Sequence, residues 1–132
     1  MKKIKVIVVD DHDLFRETLI MTINNLPNCE VVAEASNGKE FLTLLDEHYA
    51  DVVFMDIKMP EMDGIKATKY ASIHNQYLKI IALTMFEEKE YFIRMMEAGA
   101  KGYILKNADE EDIEKSIHTV LSGKNYYPKS VT

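Results

Sequence analysis

Short apolar runs alternate with amphipathic stretches along the whole chain. The apolar runs are rich in β-branched residues and predict five strands, at residues 4–9, 30–35, 51–55, 79–84 and 102–105. After each run, apolar residues recur at helical spacing and predict five helices, at about residues 14–26, 39–48, 64–74, 87–98 and 109–123. The chain is therefore predicted to consist of five strand–helix units in strict alternation.

This alternation predicts an α/β fold, because consecutive strand–helix units build a parallel sheet with helices on both faces. The runs at 4–9, 51–55 and 79–84 are apolar throughout, as expected of strands that are buried on both faces. We interpret the fold as a flavodoxin-like (βα)5 three-layer sandwich with strand order 2-1-3-4-5. One domain is expected over residues 1–123, and residues 124–132 are expected to be a tail or the start of a linker.

Cap residues mark the ends of several predicted helices. Asp13 is the simplest N-cap of the first helix, Ser36 or Asn37 of the second and Asp109 of the fifth, since short polar side chains accept hydrogen bonds from the first turn. Gly99 follows the fourth helix and suits the left-handed conformation that often ends a helix.

Polar side chains stand where four of the predicted strands end. Asp10 and Asp11 follow the first strand, Asp56 follows the third, Thr84 ends the fourth and Lys106 follows the fifth. Each residue alone has an ordinary explanation as a turn, cap or surface residue. In an open parallel sheet, however, ligands bind outside the carboxyl ends of the strands, near the point where strand order reverses. With strands one and three as neighbours, the three carboxylates are predicted to converge there.

Three crowded carboxylates repel one another and need a positive partner. All-oxygen ligation without histidine or cysteine indicates Mg²⁺, which often acts together with phosphate. A carboxylate such as Asp56 can attack phosphorus and form an aspartyl phosphate, while Lys106 neutralises charge on the transferring group. The loop after the third strand leaves room for a metal and a phosphoryl donor, and Gly64 there is expected to adopt a backbone conformation that other residues disfavour.

Composition narrows the class of protein further. A formal net charge of −6 argues against nonspecific binding of nucleic acid or anionic membranes by these residues. The single cysteine, Cys29, cannot form an internal disulfide and suits a reducing compartment. The apolar run at 4–9 is too short for a signal peptide, and no run is long enough to span a membrane. A cytoplasmic protein without membrane contact is expected.

Together, "VVDDHD", "FMDIKMPEMDG", "ALTMFEE" and "AGAKGYILKNADEEDI" closely resemble the response-regulator receiver domains of two-component signalling. The forms "DDH", "LTM", "GAKGYILK" and "YYPKSV" resemble the NarL/FixJ-type subfamily in particular. This resemblance implies a phosphoprotein whose Asp56 accepts a phosphoryl group from a sensor histidine kinase. It also implies that Mg²⁺ is bound by Asp11, Asp56 and the backbone carbonyl of Lys58, with Asp10 acting mainly through water.

The same resemblance assigns the switch. Lys106 would contact the phosphoryl group, Thr84 would swing towards it, and Tyr103 would repack and alter the surface of the fourth helix, fifth strand and fifth helix. Met85 is bulkier than the residue often found after the threonine, and it is expected to narrow access to the site. Lys58 faces the site and is expected to tune the lifetime of the phosphoryl group. Asn107 replaces a proline that often follows the lysine.

Two rival functions fit the same residues less well. An aspartyl-phosphate phosphohydrolase would need an Asp-x-Asp arrangement and a cap insertion, and a flavin- or nucleotide-binding domain would need a phosphate loop after the first strand. The sequence instead favours a signalling phosphoacceptor that is not an enzyme. Two outputs stay open: transcription regulation through a C-terminal helix-turn-helix domain outside this chain, which alone would bind DNA, or a stand-alone receiver acting through protein contacts. A phosphorylation-linked homodimer is expected by resemblance.

Overall fold

The computed structural model describes residues 2–85 and 88–128. Its strands and helices are, in chain order, β1 (Ile4–Val9), α1 (Asp13–Asn24), β2 (Cys29–Ala35), α2 (Gly38–Leu45), β3 (Val52–Asp56), α3 (Gly64–His74), β4 (Lys79–Thr84), α4 (Lys89–Ala98), β5 (Gly102–Leu105) and α5 (Glu110–Leu121). The strands pair in parallel in the order β2-β1-β3-β4-β5. The predicted flavodoxin-like α/β fold is confirmed. Within the described ranges, no helix is both long and apolar enough to cross a membrane.

Helices cover both faces of the sheet. Alternate residues of each strand point to opposite sides, and apolar residues on both sides pack against helices. One face packs against α2, α3 and α4 through a cluster that includes Ile7, Val53, Ile80, Phe41, Ala67 and Met95. The other face packs against α1 and α5 through a cluster that includes Val8, Phe54, Ile81, Ile23 and Ile117. The central strands are therefore buried on both sides, as their continuous apolar sequences predict.

The bounds of β1, β4, β5 and α3 are as predicted, and those of the other elements differ from the prediction by one to three residues. The largest consequence is at β3, which begins at Val52 and ends at Asp56 instead of covering 51–55. Asp56 belongs to the strand because it pairs in register with Leu83 of β4. The predicted start of the fourth helix at Glu87 lies outside the described residues.

Two of the predicted N-caps are confirmed and one is wrong, and Gly99 ends α4 in the left-handed conformation, as predicted. The side chains of Asn37 and Asp109 accept hydrogen bonds from the third residue after each of them. Asp13, in contrast, is the first helical residue of α1, and the N-cap position is held by His12 without a side-chain cap. The Asp13 carboxylate instead accepts a hydrogen bond from the Arg16 guanidinium, at 2.9 Å. An i,i+3 ion pair within α1 thus takes the side chain that local propensity would use as a cap.

Part of the predicted tail lies against the sheet. The backbone N–H of Tyr126 donates to the carbonyl of Lys101 at 2.9 Å, and its carbonyl accepts from the N–H of Tyr103 at 2.8 Å. The ring of Tyr127 packs edge-on against Phe92 of α4, with centroids 5.6 Å apart. Tyr126 therefore pairs with the outer edge of β5 and Tyr127 packs on α4. Residues 129–132 lie outside the described part of the chain.

Candidate functional site

The carboxyl edge of the sheet brings the predicted acidic residues together. Val9 of β1 pairs with Met55 of β3, so the residues that follow them, Asp10 and Asp56, emerge side by side. One carboxylate oxygen from each of Asp10, Asp11 and Asp56 lies within 4.8 Å of the others and of a ring nitrogen of His12. The three carboxylates therefore lie close together, as the strand order predicts.

Lys106 places its ammonium among these carboxylates. Its Nζ lies 2.7 Å from Asp10 Oδ2 and 3.3 Å from Asp56 Oδ2. Its backbone N–H donates to the carbonyl of Thr84 at 2.8 Å, which ties the ends of β4 and β5 together. The lysine therefore partly neutralises the acidic cluster from the β5 side.

Asp56 is buried, and its environment disfavours the charged form. Only 5% of the residue is exposed, and its Oδ1 accepts a hydrogen bond from the N–H of Ile57 at 2.8 Å. Burial raises the pKa of Asp56 to about 7, the charge of Asp10 adds to the rise, and Lys106 opposes it. Strongly shifted pKa values are concentrated at functional sites, so this carboxyl group at a strand end is a candidate functional group. Its negative charge needs a nearby cation or a proton to balance it.

The carboxylates fit a hard divalent cation. Asp10 Oδ2, Asp11 Oδ1 and Asp56 Oδ2 are buried, and among the described residues none has a hydrogen-bond donor in good geometry. The Lys106 ammonium partly compensates the charge of two of them. Buried carboxylate oxygens without donors are costly unless a cation satisfies them. This donor set suits Mg²⁺, which prefers carboxylate oxygens and keeps some of its waters.

The loop between β3 and α3 closes tightly on Asp56. The N–H of Gly64 donates to the carbonyl of Ile57 at 2.7 Å. A Cβ at position 64 would collide with the backbone carbonyl oxygen of Asp56. The predicted reason for Gly64 is wrong, since the positive-φ glycines are Gly99 and Gly123. Close approach of two backbone segments, which only the fold creates, excludes a side chain at position 64.

Lys58 and Met85 lie on the rim of the site. The Lys58 ammonium lies 5.0 Å from the ring centroid of Tyr91 on α4, and a hydrogen bond with Tyr91 raises the pKa of Lys58. Met85 is 68% exposed and borders a groove of about 660 Å³ that also reaches Leu14 and Lys106. The predicted effects of these two side chains on access to the site and on phosphoryl lifetime stay predictions. The peptide bond after Lys106 is trans.

Thr84 and Tyr103 form a buried pair beside the site. Thr84 is 1% exposed and Tyr103 is fully buried. Burial raises the pKa of Tyr103, and a side-chain hydrogen bond with Thr84 opposes that rise. The Tyr103 ring also packs edge-on against Phe92 of α4, with centroids 5.3 Å apart. A movement of Thr84 would therefore change the contact between Tyr103 and Phe92 of α4.

Sequence reasoning missed two neighbours of the site. The ring of Phe15 faces the Lys106 ammonium, 4.9 Å from its centroid. Arg16 donates to the backbone carbonyl of Asp10 at 2.6 Å. Both residues lie in the first turns of α1, where helical periodicity predicts only packing. His12, just before α1, is 62% exposed in its side chain, with Nδ1 3.4 Å from Asp10 Oδ1.

Comparison with known proteins assigns this geometry to a family. The response regulator receiver domain family matches residues 6–118 of the chain. The chain is a response regulator receiver domain. This receiver domain is 38% identical over 129 residues to the oxygen regulatory protein NreC of Staphylococcus epidermidis, covering 97% of the chain and 59% of NreC.

Solved structures place the receiver domain among regulators of the LuxR type, consistent with the NarL/FixJ-type resemblance. A two-component response regulator of the LuxR family from Aurantimonas sp. SI85-9A1 superposes with a TM-score of 0.92 at 30% identity, covering 98% of this chain and 93% of that one. The RcsB response regulator of Salmonella typhimurium, whose structure concerns DNA interaction, gives a TM-score of 0.88 at 28% identity, covering 99% and 64%. The chain thus spans less than two thirds of NreC and of RcsB.

Proposed function

We propose that this receiver domain is the phosphorylation-controlled input of a two-component system, in which Asp56 accepts a phosphoryl group from the phosphohistidine of a sensor histidine kinase. One observation carries the proposal: the buried carboxylate of Asp56 stands beside an acid pair and 3.3 Å from the Lys106 ammonium. This combines a nucleophile, a place for a divalent cation and a fixed cation for the transferring group.

The transfer follows from the chemistry of these groups. An Asp56 carboxylate oxygen attacks phosphorus as the phosphorus–nitrogen bond to the donor histidine breaks, and the imidazole leaves with the bonding electrons and takes up a proton. Asp11, Asp56 and the backbone carbonyl of Lys58 would hold Mg²⁺ directly, with Asp10 acting through water. Bound Mg²⁺ supplies positive charge next to the phosphoryl oxygens. Lys106, already among the carboxylates, turns to contact the same oxygens.

The buried pair next to the site would carry the signal onwards. Once Asp56 is phosphorylated, the Thr84 hydroxyl donates to a phosphoryl oxygen and gives up its hydrogen bond with Tyr103. Tyr103 then repacks against Phe92, which changes the surface formed by α4, β5 and α5. Lys58 and Met85, on the rim, would tune access to the phosphoryl group and its lifetime.

The output would be regulation of transcription. RcsB, of which the chain spans 64%, interacts with DNA according to the description of its structure. The receiver domain itself carries a formal net charge of −6, which opposes binding to DNA phosphates. DNA would be bound by a C-terminal domain joined through residues 124–132, with phosphorylation-linked dimers of the receiver. The module acts as a phosphoacceptor and not as an enzyme on outside substrates, and its cytoplasmic location stays a prediction.

Intact-mass spectrometry after incubation with acetyl phosphate tests the proposal. A single phosphoryl adduct that requires Mg²⁺ and is lost in Asp56→Asn is the expected result. Asp46→Asn, at an exposed carboxylate, is the matched control and should be modified like wild type. An adduct that persists in Asp56→Asn would refute Asp56 as the phosphoacceptor.

A further inference from the structure

The Arg16 guanidinium lies directly behind the acid pair. Its side chain is 14% exposed, and its donors are distributed over three elements. Nη1 donates to the backbone carbonyl of Asp10 at 2.6 Å, Nε donates to Glu34 on β2 at 2.8 Å, and Nη2 donates to Asp13 at the start of α1 at 2.9 Å. The arginine therefore joins the end of β1 to β2 and α1.

These bonds fix the orientation of the peptide between Asp10 and Asp11. The N–H of Asp10 donates to the carbonyl of Ala35 at 3.0 Å, and the Asp10 carboxylate accepts from the N–H of His12 at 2.8 Å. A peptide unit is planar, so holding the Asp10 carbonyl also fixes the Cα of the next residue. The direction in which Asp11 presents its carboxylate to Asp56 thus depends on the bond from Arg16.

Such a restraint is needed because the carboxylates repel one another. Without it, the loop that carries the acid pair could relax away from Asp56. The charge of Arg16 is itself matched by Glu34 and Asp13. Arg16 therefore contributes to the site by orienting the backbone through its directed hydrogen bonds, and not by adding net positive charge. A lysine could keep the charge but not the planar fork that reaches three acceptors.

From this geometry we infer that Arg16 is a positioning residue for the divalent-cation site, acting through the Asp10–Asp11 peptide on the Asp11 carboxylate. The inference rests on the proposed function, since it concerns the cation that phosphorylation of Asp56 requires. It adds to the site a residue that touches neither the cation nor the phosphoryl group.

Binding of Mn²⁺, followed by electron paramagnetic resonance and calorimetry, tests the inference without any phosphoryl transfer. Loss of a partner behind a metal ligand typically weakens metal affinity by about 10–100-fold. We expect a loss in this range for both Arg16→Ala and Arg16→Lys. Arg94→Ala, at an exposed arginine on α4, is the matched control and should bind within about twofold of wild type.

Two further readouts separate positioning from a purely structural role. Millimolar guanidinium ion should restore much of the affinity lost in Arg16→Ala and none of that lost in Arg16→Lys, whose amine fills the site. Glu34→Gln removes charge but keeps an acceptor for Nε, so it should bind Mn²⁺ nearly as tightly as wild type. A loss in Glu34→Gln equal to that in Arg16→Ala would overturn the directional account.

The outcomes distinguish this inference from the proposed function. Folded Arg16 variants that bind Mn²⁺ within about twofold of wild type, while Asp11→Asn does not bind, would overturn only the role of Arg16. Wild-type protein that binds no divalent cation would overturn the metal site of the proposed function, and the inference with it. Unfolding of both Arg16 variants by circular dichroism would also overturn it, in favour of a structural role.

Discussion

Replacing Asp56 with asparagine is expected to stabilise the metal-free fold at neutral pH and to change its stability little in acid. The native environment raises the pKa of Asp56 from 3.8 to about 7, chiefly through burial. Asparagine preserves the shape of the side chain and can still accept the hydrogen bond from the N–H of Ile57. The substitution therefore removes the buried charge with little loss of packing.

The sign follows from proton binding in the two states. Between about pH 4 and pH 7, native Asp56 holds its proton while the unfolded carboxyl group has lost it, so the free energy of unfolding falls as the pH rises. Above about pH 7 the native carboxyl group is ionised too, and the free energy of unfolding falls no further through this group. At about 1.4 kcal/mol per pKa unit, the rise corresponds to at most about 4 kcal/mol. Because Asp56 interacts with the nearby charges of Asp10 and Lys106, we expect about 2–4 kcal/mol for Asp56→Asn at pH 8.

Urea unfolding followed by circular dichroism in EDTA, at pH 4.5 and pH 8, measures the effect. The Asp56→Asn variant should exceed wild type by only about 1 kcal/mol at pH 4.5, where the unfolded carboxyl group is already largely ionised, and by the stated amount at pH 8. Added Mg²⁺ should narrow the difference, because a cation that binds only the native wild type stabilises it. Glu47→Gln, at an exposed carboxylate, is the control and should show no such divergence. An equal difference at both pH values would refute the reasoning.

Three further predictions concern neighbours of Asp56. Lys106→Met removes the cation that lowers the pKa of Asp56, so carboxyl ¹³C NMR in EDTA should place that pKa above its wild-type value. Gly64→Ala forces a Cβ against the Asp56 carbonyl and should cost about 2 kcal/mol or more of unfolding free energy, together with slower phosphorylation. Tyr103→Phe keeps the buried ring but loses the hydrogen bond with Thr84, and it should cost about 1 kcal/mol in urea unfolding.

Each of these has a matched control in the chain. Lys115→Met, on the exposed side of α5, should leave the Asp56 titration unchanged. Gly123→Ala meets no atom within 4 Å, so its cost should be limited to about 1 kcal/mol from its positive φ. Tyr77→Phe, at an 81% exposed ring, should be neutral. Equal effects in any variant and its control would contradict the structural explanation of that variant.

The sequence determined the fold and the groups at its reactive edge. Alternating strand and helix periods leave few topologies for a parallel sheet, and the strand order then decides which strand ends are neighbours. Asp10, Asp56 and Lys106 could therefore be predicted to meet, since each directly follows or ends a strand. Local patterns were less reliable where two local uses of one side chain compete, as at Asp13, whose carboxylate bonds to Arg16 three residues later and does not cap the helix.

Only the tertiary structure decided how these groups are held. The hydrogen bond from Arg16 to Glu34 joins residues 18 positions apart, and no local period marks it. The collision that excludes a side chain at position 64 involves the backbone of Asp56, across a loop whose path depends on the packing of α3. The pKa of Asp56 likewise depends on burial and on charges from β1 and β5. Periodicity places residues on elements, whereas orientation, close approach and electrostatics arise from contacts between elements, which the chain makes only when folded.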